Sequence, residues 1–286
     1  MKTGLFSTQR RRILLLAAVA VLAGLFFLWP RGPREPVYQE KTFTQWLKQA
    51  TTLTFEGDAS DANPPDAEAL AALHAIGTNA VPFLLHDFTR PVSAWRQRFN
   101  AWAGGHPSLK FRLRDDRKLI GAAGLGLRWL GTNAAPALPV VARYLDDPLR
   151  ALDVVSILSN KGDAAMPYLA AAISSTNAAA ARNAVSVLRV SGLPTATARA
   201  TCAAALRHPE AGVRQLAVIA WSFGLVASTN VVPDLVKLAE DPSPLVRQEA
   251  IHQLTNQSIM ASLPNRIAAS NALLTLRPNA PPPRAP

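Results

Sequence analysis

Apolar residues recur at helical spacing along most of this chain, and the same polar punctuation breaks them at regular intervals. Residues 228–251, STNVVPDLVKLAEDPSPLVRQEAI, show the unit. Asn230 stands where a helix N-cap belongs, and Pro233 falls in the first turn, where an N–H has no intrahelical partner. Val232, Leu235, Val236 and Leu238 form one apolar side. Asp241-Pro242 ends this helix, because proline disfavours the helical conformation of the residue before it. A second helix starts near Pro244 and is expected to turn Leu245, Val246, Ala250, Ile251 and Leu254 inward.

The unit has copies. Ser228-Thr229-Asn230-Val231-Val232-Pro233 echoes Gly77-Thr78-Asn79-Ala80-Val81-Pro82 and Gly131-Thr132-Asn133-Ala134-Ala135-Pro136, with looser versions at Gly162–Pro167 and Gly192–Pro194. In the second helices Arg117, Arg150, Arg182, Arg214 and Arg247 are spaced by 33, 32, 32 and 33 residues. Asp147-Pro148, His208-Pro209 and Asp241-Pro242 stand just ahead of three of them. Two independent markers on one period in the low thirties are the signature of stacked helix–turn–helix repeats, each too small to bury its own apolar face.

Over roughly residues 66–256 this pattern resembles HEAT repeats, in the bacterial form related to the E–Z, bilin-lyase-type repeats. The resemblance implies that the turn carboxylates Asp147 and Asp241 bond the ladder arginines of neighbouring units, while His208 departs from that pattern. The expected fold is all-α: a right-handed α-solenoid of stacked antiparallel helix pairs preceded by one transmembrane helix. About six pairs fill residues 42–276. Thr42 and Gln45 fit a capping box, Asp66 can cap the helix that Gly77 ends, and a last helix near Pro264–Leu276 covers the open end. Leu216 and Leu235 are expected in the core between repeats.

The N-terminus changes the picture. Residues 1–12 are basic, and Ile13–Trp29 are 17 residues without a charge, the short end of the about 17–25 that span a bilayer. The excess of Lys and Arg before the run places 1–12 in the cytoplasm and the repeats outside. This reads as a signal-anchor in the inner membrane, single-pass, with a cleaved signal peptide ending near Ala23 as the rival. The proline-containing stretch 30–41 reads as an extended linker, and 277–286, with five prolines, as a disordered tail. Glu35-Pro36-Val37-Tyr38-Gln39 ahead of Trp46-Leu47 looks like the joining segment of bacterial envelope HEAT proteins.

Charge then singles out one stretch. The chain is +11 overall. Pro82 and Pro136 are 54 residues apart, so one unit carries an insertion of roughly 20 residues over the usual period. Residues 90–118 hold eight Lys and Arg against Asp115 and Asp116, a net +6 that accounts for the whole excess beyond the N-terminus. Arg90, Trp95, Arg96, Arg98, Trp102, Lys110, Arg112 and Arg114 are the candidate binding residues, since basic side chains interleaved with aromatics suit phosphate contact and stacking. The plainer reading is a loop whose Trp95, Phe99 and Trp102 pack on the repeats and whose arginines are solvated. Arg117, Arg150, Arg182, Arg214 and Arg247, with Asp147 and Asp241, read as a structural ladder.

No motif for a nucleophile, a phosphate loop or a metal site is present, and Gly121, Gly124 and Gly126 lie inside a helix, where they permit close packing. The single Cys202 among alanines reads as a core residue. No catalytic residue, cofactor or metal is assigned. The function expected is a non-catalytic, membrane-held scaffold for another protein, facing the periplasm. Polyanion or anionic-lipid binding at 90–118 is the alternative, and a bilin-lyase-like enzyme a remote one, since fold does not imply function. The outward topology argues against DNA.

Overall fold

The computed structural model describes residues 32–55, 66–106, 113, 115–224, 231–260 and 263–276. The expected membrane span 13–29 and the tail 277–286 lie outside them. The chain divides into two units, Met1–Arg34 and Glu35–Pro286; the second is mostly helical.

It opens with a hairpin where an extended linker over 30–41 was expected: Val37–Tyr38 (β1) pairs antiparallel with Lys41–Thr42 (β2). The reason is local. Gln39 and Glu40 take φ of 46° and 64°, the backbone of a two-residue turn whose twist matches its strands. The hairpin is bound to helix α1 (Phe43–Phe55). Trp46 Nε1 donates to the Tyr38 carbonyl at 2.9 Å, and the Thr44 N–H donates to Glu35 Oε1 at 2.6 Å. Thr42 and Gln45 bond reciprocally, each side chain to the other's N–H, which is a capping box. Phe43, Trp46, Leu47 and Ala50 form the buried stripe of α1. They pack on α2 (Ala67–Ile76), whose first N–H groups donate to Asp66.

Helix α2 reaches α3 (Val81–Phe88) through a corner. Gly77 has φ 58°, and one 3-10 turn, Gly77–Ala80, follows. Gly131 and Gly162 repeat it with φ of 56° and 52°. The repeated Gly-Thr-Asn motif therefore encodes a left-handed corner, which glycine adopts without steric cost. Asn133 does not cap the next helix: its Nδ2 donates to the His74 carbonyl at 3.4 Å, one corner to the next. Asn230, the expected cap, lies outside the described residues.

After α3 come α4 (Ala94–Gly104), which lies in the insertion, and α5 (Asp116–Trp129). Then follow α6 (Leu138–Val141), α7 (Ala151–Ser159), α8 (Met166–Ile173), α9 (Ala178–Ser191) and α10 (Ala196–Ala205). The last are α11 (Ala211–Gly224), α12 (Val232–Leu238), α13 (Pro244–Met260) and α14 (Leu263–Leu276). The second helices of successive pairs touch in sequence: α5 on α7, α7 on α9, α9 on α11, α11 on α13. Among the first helices α8 packs on α10, and α14 packs on α13 and α12. The core runs from Phe43 to Ala220 and continues from Val218 to Ala269, with Leu206 and Trp221 against both parts. It is thus enclosed within Glu35–Pro286.

Some expected core residues sit elsewhere. In α13, Val246, Ala250 and Leu254 are buried, but Leu245 and Ile251 are 51% and 40% exposed because they flank that stripe. Leu235 is fully buried, whereas Leu216 is partly buried at the edge of the core. Ala67–Phe88 is apolar enough in composition to cross a membrane, but Gly77 breaks it and Leu73, Ile76, Leu84 and Phe88 belong to the core.

The helical glycines of α5 divide. A Cβ on Gly126 would stand 2.9 Å from Leu84 Cδ2 and 3.0 Å from Phe43 Cε1, and one on Gly124 would stand 3.0 Å from Asp153 Cγ. Nothing lies within 4 Å of one on Gly121. Gly121→Ala is therefore expected to stabilise by about 0.5–1 kcal/mol, the usual gain of alanine over glycine inside a helix. Gly126→Ala is expected to destabilise, because Leu84 and Phe43 must move. Urea unfolding of the two variants checks this, and shifts of the same sign and size would contradict it.

Candidate functional site

The insertion is built around α4. Ser93 Oγ accepts the Arg96 N–H at its start. On the inner side Arg96 Nη1 pairs with Asp116 Oδ1 at 2.8 Å, and the Asp116 carboxylate, 1% exposed, also accepts the Ser93 N–H at 3.0 Å. Asn100 exchanges two hydrogen bonds with the Leu113 backbone, at 2.9 and 2.8 Å. Ala103 is buried. On the outer side Trp95 and Trp102 are 66% and 54% exposed. Ring centroids lie 6.1 Å apart for Trp95–Phe99, 5.9 Å for Phe99–Trp102 and 4.6 Å for Trp102–His106.

This departs in part from the plainer sequence reading, in which the aromatics held the segment down and the arginines faced solvent. Trp95 and Trp102 are outward, and the Arg96 side chain, 39% exposed, turns to Asp116. Buried Asp116 and the Leu113 backbone need partners, and an unpaired buried polar group costs more than an exposed ring. Arg90 Nη2 pairs with Asp87 Oδ1 at 2.9 Å. Arg98 is exposed, and Lys110, Arg112 and Arg114 lie outside the described residues.

The ladder arginines differ from one another. Arg150 is buried: Nε donates to the Phe88 carbonyl at 2.7 Å, Nη2 to the Arg90 carbonyl at 2.6 Å and Nη1 to Asp147 Oδ2 at 2.7 Å. Its guanidinium lies 4.9 Å from the Tyr144 ring centre. Arg214 grips Asp241 through Nε and Nη2, at 2.9 and 2.8 Å, and its Nη1 donates to the His208 and Pro209 carbonyls. Those bonds hold the Asp241 carboxyl below the usual range, with the Ser243 N–H adding to them. Arg247 Nη1 donates to the Asp241 and Pro242 carbonyls at 2.8 and 2.9 Å. Arg182 lies 3.6 Å from Glu210 with both side chains partly exposed, and Arg117 is exposed.

The sequence reading missed Lys161 and the role of His208. His208 is buried, and its Nδ1 accepts the Glu210 N–H at 3.1 Å. That is the bond Asp147 and Asp241 accept from Leu149 and Ser243, so His208 keeps the acceptor of the turn without its charge. Lys161 is buried, and its Nζ donates to the Leu127 and Gly131 carbonyls at 3.1 and 2.5 Å. The signal was a lysine before Gly162, where Ile76 and Leu130 precede the equivalent corner glycines. Burial moves the Lys161 ammonium from the usual 10.5 to about 8, pushes the Cys202 thiol up to about 12 and raises the Asp153 carboxyl. Among the described residues no three His, Cys, Asp or Glu side chains converge as a metal site would require.

A family model for HEAT repeats matches residues 198–269. Over this stretch the chain is similar to HEAT repeats. It spans α10 to α14 and contains the Arg214–Asp241 pair and the Arg247 turn. No curated protein matches the chain.

The Lys161 environment makes stability depend on pH. Between about pH 8 and 10.5 the unfolded chain still holds the Lys161 proton that the folded chain has released, so stability rises with pH across that window. Cys202 works oppositely from about pH 9 to 12, because the unfolded thiol ionises first. Lys161→Met should be less stable at neutral pH, since its carbonyl acceptors lose their donor, and should lack the alkaline rise that the wild type shows relative to it. Parallel urea titrations from pH 7 to 10.5 measure the difference, and identical slopes for the two proteins would contradict it.

Proposed function

We propose that this protein is a non-catalytic scaffold, held in the inner membrane by residues 13–29, that offers its helical repeats to another protein outside the cytoplasm. The observation that carries the reading is the HEAT-repeat match at 198–269, on the same residues where α11 and α13 pack as successive second helices. HEAT repeats commonly serve protein interaction. In this reading the pairs continue as a right-handed solenoid, whose extended surface binds a partner without a deep pocket. Leu152, Val190 and Phe223, 85%, 59% and 63% exposed on α7, α9 and α11, are candidate contacts.

The membrane part rests on Ile13–Trp29 without a charge and on the four basic residues before it. The full-length chain should stay with membranes through alkaline carbonate extraction, and a reporter active only outside the cytoplasm should work after Pro286. A photo-crosslinking residue at Leu152 or Phe223 should capture one discrete protein. Release into the soluble fraction would overturn the membrane reading; a C-terminal reporter active only inside would overturn the orientation. Absence of any crosslinked product at both sites would overturn the scaffold.

A further inference from the structure

The outward face of α4 is out of place on a surface bathed only in water. Trp95, Phe99, Trp102 and His106 follow one another at helical spacing and make one ridge, in which both tryptophans are more than half exposed. The helix is not turned this way for want of an inner seat. Arg96, Asn100 and Ala103 occupy that seat with specific bonds to Asp116 and Leu113. The ridge is therefore held outward by the polar pairing beneath it.

The charge chooses the occupant. It is local: residues 90–118 are net +6, while the remainder of 36–286 sums to zero. Exposed indoles beside a concentrated positive charge match the chemistry of an anionic bilayer surface, where tryptophan settles at headgroup depth and basic side chains meet phosphate. Arg90 and Arg96 are paired with Asp87 and Asp116, so Arg98 is the exposed cation of α4 itself.

We propose that the α4 face docks on anionic phospholipid bilayers, with Trp95 and Trp102 entering the headgroup layer and Arg98 meeting lipid phosphate. The proposal needs neither the span 13–29 nor a protein partner, so it stands or falls apart from the scaffold reading.

Residues 35–286 enclose their own core and serve as the test protein. They should cosediment with vesicles of phosphatidylcholine and phosphatidylglycerol but hardly with phosphatidylcholine alone, and tryptophan emission should shift to the blue on binding. Trp95→Ala with Trp102→Ala should weaken this by roughly tenfold or more, the loss of about 1.4 kcal/mol or more of interfacial partitioning. The melting temperature should be nearly unchanged, since both rings are exposed. Arg98→Gln should weaken binding at low salt and matter less at high salt. Equal binding by wild type and the double tryptophan variant would overturn the proposal, as would no binding to anionic vesicles. Binding of a single-stranded oligonucleotide that displaces the vesicles and is lost in the same variant would assign the ridge to nucleic acid instead.

Discussion

The ends of short helices leave carbonyl oxygens without intrahelical partners, and here basic side chains answer them. Arg150 reaches the carbonyls of Phe88 and Arg90, Lys161 those of Leu127 and Gly131, Arg214 those of His208 and Pro209, and Arg247 those of Asp241 and Pro242. Several of these bonds run between segments far apart in sequence. Those of Arg150 and Lys161 tie one helix pair to the pair before it, while those of Arg214 and Arg247 stay within their own turns. The turn carboxylates complete the arrangement, because Asp147 and Asp241 each hold an arginine and a backbone N–H at once. Between these polar seams the small residues Ala181, Ala184, Ala217 and Ala220 are fully or almost fully buried, which lets α9 and α11 approach closely.

The helical architecture was legible because its markers are backbone requirements. A glycine at positive φ, a proline in a first helical turn and an Asp-Pro stop each restrict the chain locally, so their period shows without tertiary information. The capping residues Thr42, Gln45 and Asp66 were legible for the same reason. The hairpin at 37–42 was not, because two non-glycine residues, Gln39 and Glu40, take its positive φ values. Leu245, Ile251 and Leu216 were misplaced by a simple limit: helical spacing defines a stripe but not its width.

The candidate site exposes a deeper limit. Along α4 the spacing of Trp95, Phe99 and Trp102 is as regular as that of any core stripe, and so is the spacing of Arg96, Asn100 and Ala103. Periodicity names both faces and does not say which is inside. What decides is the chemistry opposite: a buried Asp116 and the Leu113 backbone demand donors and acceptors. Those partners come from beyond the helix, so the outcome could not be read from it. Lys161 and His208 were hidden similarly, since their roles depend on carbonyls and N–H groups that only the folded chain brings to them.

Paired polar seams, together with apolar packing, join successive helix pairs. A double-mutant cycle on Arg214→Ala and Asp241→Ala, read by urea unfolding, tests this most directly. Arg214 and Asp241 are 27 residues apart and bonded at two points, 2.9 and 2.8 Å. The two changes should show a favourable coupling of about 0.5–3 kcal/mol, the range for residues in one hydrogen-bonded network. Additive effects, with no coupling between the two changes, would contradict it.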